Sequence, residues 1–208
     1  MSPLSQAPSA VAANRMTPTS GSRDIGATWI APALTFAAAA FSVVLAPGPR
    51  GLLGAALALL MGAIAVADLR HFIIPNIATA PAFLLGLAYS VVRDAPPVIE
   101  SMAFAALRGA VLALMFLVLR EIYRRWRGRE GIGLGDVKLA AVAGAWLDWQ
   151  TIPLAVEVAA LAALATFFLA KIIRKQVVLS MSRVPFGLFL APAIWAGWLF
   201  ELFLPAAR

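Results

Sequence analysis

The feature that most constrains this chain is its succession of apolar runs, at residues 29–46, 52–68, 76–92, 101–122, 136–150, 152–170 and 186–204, separated by proline, glycine or charge. Each is near the length that carries an α-helix across ~30 Å of hydrocarbon. The expected fold is therefore all-α, a polytopic transmembrane helical bundle of six or seven spans. Composition agrees, because only 13% of residues are charged, against ~25% in soluble domains. The run from Asp136 to Gln150 is the shortest, ~22 Å as helix, so its glycine-rich entry is expected to lie below the bilayer surface.

Three segments follow. Residues 1–28 are rich in Ser, Ala, Pro, Thr and Asn without apolar periodicity, and read as a disordered cytoplasmic tail. Residues 29–204 form the membrane domain, and 205–208 a short C-terminal tail. The first apolar run opens only at Trp29, late for a cleaved signal, so it reads as a signal anchor.

The net charge of +7 fits loops retained on the cytoplasmic side rather than nucleic-acid binding, since no basic stripe carries interleaved aromatics. Arg120, Arg124, Arg125, Arg127 and Arg129 mark one cytoplasmic loop, and Lys171, Arg174, Lys175 and Arg183 another. Counting spans from these loops puts Arg15, Arg23 and Arg70 on the same side and leaves Arg50, Arg93 and Arg208 outside. Zero cysteines exclude disulfides, thiol nucleophiles and thiolate metal sites.

That parity gives Asp68 and Asp136 one depth. Asp68 ends an inward-running helix, and Asp136 opens an outward-running one after Gly131-Ile132-Gly133-Leu134-Gly135. If the second and fifth spans pack side by side, the two carboxylates converge. Taken singly, Asp136 reads as a helix cap and Asp68 as a solvated boundary residue with Arg70 as partner. Taken together, they are candidates for acid–base hydrolysis, or for relay groups of a proton-coupled transporter or channel. Hydrolysis requires the two acids to work in different protonation states, one donating while the other activates water. The single histidine, His71, precludes a His-Glu-x-x-His zinc site and reads as an interfacial anchor, and no Gly-x-Ser-x-Gly elbow occurs. Arg108 and Glu157 lie within apolar runs and are expected either to pair across facing helices or to snorkel outward. Asp148 and Glu201 fall near the outer boundary without assigned chemistry, and Trp146, Trp149, Trp195 and Trp198 read as interfacial anchors.

Four motifs occur in order: Asp68-Leu-Arg-His-Phe-Ile-Ile-Pro75-Asn76, Gly133-Leu-Gly-Asp136-Val-Lys138-Leu, Gly144-Ala-Trp146-Leu with Trp149-Gln150, and Val184-Pro-Phe-Gly-Leu-Phe-Leu-Ala191. With this set the chain resembles the bacterial type IV prepilin peptidases, from roughly Leu52 to the last span, which is most of the membrane domain. The resemblance implies an inner-membrane aspartic endopeptidase, multi-pass with its N-terminus cytoplasmic, that removes the leader of prepilins or pseudopilins at the cytoplasmic face. Asp68 and Asp136 would be the catalytic pair, with Gly133, Gly135, Lys138, Pro75, Asn76, Pro185 and Gly187 shaping the site or binding substrate. No cofactor or metal is implied. The implied partners are the precursor, the lipid bilayer and the pilus or secretion assembly machinery, with no nucleic acid. Longer family members carry a cysteine-rich zinc segment and an N-methylation activity. Here only Pro47-Gly48-Pro49 separates the first two runs, which is similar to the compact peptidases of Flp/Tad-type pilus systems. The Pro-Ala-Leu-Pro signature of presenilin-like proteases is absent.

Overall fold

The computed structural model describes residues 24–94, 97–128, 131–174 and 185–204. Among them are seven helices and no strand: α1 Asp24–Leu45, α2 Pro49–His71, α3 Asn76–Arg93, α4 Val98–Arg127, α5 Leu134–Trp146, α6 Thr151–Arg174 and α7 Gly187–Glu201. Helices α2, α4 and the Thr151–Leu169 part of α6 are long and apolar enough to cross a membrane, and Trp29–Leu45 and α7 are shorter apolar helices. Of the tail expected at residues 1–28, residues 24–28 belong instead to the first turn of α1, while residues 1–23 and 205–208, together with Arg129, Lys175 and Arg183, lie outside the described residues.

Local chemistry sets the boundaries. The turn before α2 uses Gly48 at φ 98° and places Pro49 in the first helical turn, where its missing N–H would be unpaired anyway. Helix α2 ends at Phe72, left-handed at φ 53°, whose N–H donates to the Asp68 carbonyl at 2.9 Å. Such a φ is uncommon for a bulky residue, and it turns the chain sharply towards Pro75, which opens α3.

The arginines after residue 119, expected in a loop, are mostly helical, because α4 runs 30 residues to Arg127 before Gly128 turns at φ 66°. At ~1.5 Å per residue this is ~45 Å, well beyond the hydrocarbon thickness. Along this extension Glu121 pairs with Arg124 and Arg125, each at 2.8 Å, at the helical i+3 and i+4 spacings that modestly favour a helix.

Successive helices alternate in direction. At one end the start of α7 bonds the end of α2, and the start of α5 bonds the start of α3. At the other, Arg50 at the start of α2 donates to the carbonyls of Val92 and Arg93 at the end of α3.

Short α5, of 13 residues, is the buried centre, packed on α3, α4 and α7. Its sequence Leu139-Ala-Ala-Val-Ala-Gly-Ala-Trp146 is small-residue rich, which lets neighbouring backbones approach. A Cβ on Gly144 would lie 2.7 Å from the Gly109 Cα of α4, and one on Gly86 would lie 2.8 Å from the Trp146 ring. Trp146 and Trp198 are therefore not interfacial: both are fully buried. Trp146 stacks on Tyr89 at 5.0 Å between ring centroids and donates Nε1–H to the Ala82 carbonyl at 2.7 Å, while Trp198 meets Tyr89 edge-on at 6.3 Å. Trp195 donates to the Ser42 hydroxyl at 3.0 Å and ties α7 to α1.

Candidate active site

Where α2 ends and α5 begins, Asp68 and Asp136 line one cavity of about 250 Å³ together with Phe72, Ile74, Gly133, Gly135 and Lys138. Different backbone elements hold the two acids. Asp68, only 6% exposed, sits in the last turn of α2 and accepts the Leu188 N–H of α7 at 3.0 Å. The grip works because Gly187 has no side chain, since a Cβ there would lie 2.9 Å from Asp68 Oδ2. Asp136 stands in the first turn of α5 and reaches back to accept the Gly133 N–H at 3.1 Å. A carboxylate at a helix N-terminus is favoured by the free N–H groups and by the helix dipole. The residue is therefore not the N-cap, although it satisfies a neighbouring backbone donor as a capping residue would.

No ion pair reaches either carboxylate among the described residues, so the expected Asp68–Arg70 pairing is not formed; the ion pairs lie elsewhere. The nearby cation, Lys138, donates instead to Asn76 Oδ1 at 2.6 Å, stitching α5 to the start of α3. Gly135 is needed for close approach: a Cβ there would lie 2.9 Å from the Ile74 Cβ. Arg120 of α4 donates to the Ile132 carbonyl at 3.1 Å and steadies the glycine-rich entry. Of the other expected residues, Pro75 caps α3 and Pro185 precedes α7, its carbonyl accepting the Leu188 N–H at 3.3 Å. His71 is exposed and outside the cavity lining. Among the described residues no group of His, Cys, Asp and Glu could hold a metal ion.

Sequence reasoning missed Ile74 and Leu188. Ile74 is 8% exposed although it lies in a turn, while its neighbour Ile73 is 63% exposed, so the apolar pair between two helices did not tell which of its members is buried. The Leu188 amide carries no side-chain signal at all. Beside this polar cavity an apolar groove of about 590 Å³ runs between α1, α2 and α7, with Leu34, Met61, Ala65, Leu69, Leu188 and Trp195 among its walls.

Residues 55–200 match the family model described as the type IV leader peptidase family. The chain belongs to that family. It is 31% identical over 161 residues to a prepilin leader peptidase/N-methyltransferase of Aeromonas hydrophila, covering 75% of this chain and 52% of that protein. It is 34% identical over 153 residues to the leader peptidase HopD of Salmonella typhimurium, covering 73% and 92%, and 35% identical over 133 residues to HopD of Escherichia coli, covering 63% and 82%. The chain thus spans about half the length of the peptidase/N-methyltransferase relatives and most of the HopD proteins. No solved structure matches it.

Proposed function

We propose that this protein is a membrane-embedded aspartic endopeptidase that removes the leader of type IV prepilin-like precursors at the cytoplasmic face of the bacterial inner membrane. One observation carries the reading: two carboxylates from segments distant in the chain line a single polar cavity, within a family named for leader peptidases. The arginine-rich end of α4 lies at the same end of the bundle as this cavity, which supports the cytoplasmic side by the retention of basic residues there.

In this mechanism one of Asp68 and Asp136 is ionised and takes a proton from a water as its oxygen attacks the scissile carbonyl carbon. The other, protonated, hydrogen-bonds the carbonyl oxygen and stabilises the charge that develops there. Collapse of the tetrahedral intermediate breaks the C–N bond, and the proton gained from water passes to the leaving amine. Gly135 lets α5 close on Ile74, Gly133 lines the cavity offered to the substrate backbone, and the Leu188 and Gly133 amides hold the two acids in place. The apolar groove beside Asp68 offers surface to the membrane segment of the precursor. Pilus or secretion assembly machinery is the expected consumer of the product, with the compact Flp-type systems the finer assignment.

The test is co-expression with a tagged precursor. Asp68→Asn and Asp136→Asn are each expected to abolish the mobility shift while inserting normally into the membrane, and mass spectrometry of the wild-type product gives the cut site and its methylation state. Continued processing by either variant would count against a two-acid site.

A further inference from the structure

The far end of α5 is closed in an unusual way. A helix leaves its last carbonyls without intrahelical donors. The Gly144 carbonyl would ordinarily receive the Asp148 N–H, but that amide donates instead to Glu201 Oε1 of α7 at 2.7 Å. The Gly144 carbonyl is taken by Arg108 Nε of α4 at 3.2 Å. Two side chains of opposite charge, from two other helices, thus occupy the acceptor and the donor that would have bonded each other. Arg108 is therefore not paired with Glu157, which is exposed on α6.

The surroundings bind this closure firmly. Arg108 Nη1 lies 3.7 Å from Asp148 Oδ1, Arg93 Nη1 lies 3.1 Å from the same oxygen, and Arg93 also lies 3.5 Å from Glu201. Arg108 Nη2 is nonetheless buried without a partner among the described residues, a cost that argues for a specific role of the guanidinium rather than filler.

Helix α5 has particular need of such an anchor. Its 13 residues span only ~20 Å, and Arg108 meets it ten residues into α4, whose first residue is Val98. That end therefore lies well inside the length of α4. The α4–α5 crossing is a glycine contact, Gly109 on Gly144, which sets how close the two helices come, and Trp146 ties α5 to α3 through the Ala82 carbonyl, so the bonds from Arg108 and Glu201 are what fix this end against α4 and α7. Asp136 lies eight residues before Gly144 on the same helix, ~12 Å along a rigid rod, so any slip at Gly144 is transmitted to Asp136.

We infer that Arg108 and Glu201 are positioning residues that lock the axial register of α5 and thereby the depth at which Asp136 faces Asp68. This rests on the proposed function, but the test separates the two. Kinetics with a precursor substrate in reconstituted membranes should show Arg108→Met lowering kcat on the order of a hundredfold, the scale of an ~1 Å misplacement, with KM within about twofold. Arg108→Lys, which keeps a charged donor, should recover about tenfold of that loss. Glu201→Gln, a milder change, should lose about tenfold.

Register is read independently of catalysis in this cysteine-free chain. A Cβ on Gly135 lies 2.9 Å from the Ile74 Cβ, and one on Gly62 lies 2.9 Å from the Thr35 Cβ. Both pairs need only small shifts to reach disulfide geometry. Arg108→Met should slow oxidation of the Ile74→Cys/Gly135→Cys pair at least about fivefold and leave the Thr35→Cys/Gly62→Cys pair unchanged. Equal weakening of both pairs, or a full kcat in Arg108→Met, would overturn the inference. If wild-type protein does not cleave, the proposed function fails while the crosslinking still decides the register.

Discussion

The two ends of this bundle hold the same chemical group in opposite company. At one end Asp94, Asp148 and Glu201 are gathered around Arg93 and Arg108, with Tyr89, Trp146 and Trp198 packed beneath. At the other, Asp68 and Asp136 accept backbone N–H groups, while Lys138 is held by Asn76. A carboxylate committed to a guanidinium is structural, because removing either partner strands a charge. A carboxylate held only by amides keeps its orientation and its freedom to exchange a proton. Under the proposed function the difference puts chemistry at one end and rigidity at the other, although both are acidic clusters at helix ends.

Importing the rigid end's chemistry into the reactive end should have the largest effect. Leu134 is 53% exposed and lines the acidic cavity. Leu134→Arg should bring a guanidinium to the two acids and cut the cleavage rate ~10²–10⁴-fold, the range an acid–base group contributes, whereas Leu134→Gln should retain most activity. Rates in reconstituted membranes compare the two. Next, truncating the packing at the rigid end by Trp198→Ala should cost ~3–5 kcal/mol of stability, seen as a lower melting midpoint in detergent, with cleavage falling only in proportion to folded protein. Gly187→Ala puts a methyl against Asp68 Oδ2, and a shift of a few tenths of an ångström in that carboxylate should lower kcat about tenfold with little change in melting. The smallest effect belongs to Asp94→Asn at the rim of the rigid end. That side chain is 39% exposed, and rim ion pairs are worth ~0–1 kcal/mol, so both melting and cleavage should stay near wild type.

The apolar runs made the helical order legible, since lengths and breaks follow directly from which residues tolerate hydrocarbon. The shared end of Asp68 and Asp136 was legible for a related reason: alternating direction is a counting argument that needs no contact information. Tertiary choices were not legible. Nothing in the run around Arg108 says that α4 lies against α5 rather than α6, so Glu157 was as plausible a partner as Gly144. Trp146 and Trp198 look like boundary tryptophans from their positions near run ends, and only the packing of α3, α5 and α7 around Tyr89 buries them. The arginines after residue 119 read as a loop because charge stopped the apolar run, yet α4 continues to Arg127 with Glu121 pairing along it. The Leu188 amide that holds Asp68 comes from 120 residues away and could be found only in the fold.

The central claim is that Asp68 and Asp136 act as one unit, and a double-mutant comparison tests it most directly. Cleavage of a purified precursor would be measured for Asp68→Asn, Asp136→Asn and the combined variant in the same membranes. Groups that share one step are strongly non-additive, so all three variants should fall to the same residual rate. Losses that multiply in the combined variant, or near wild-type cleavage in either single one, would contradict the account.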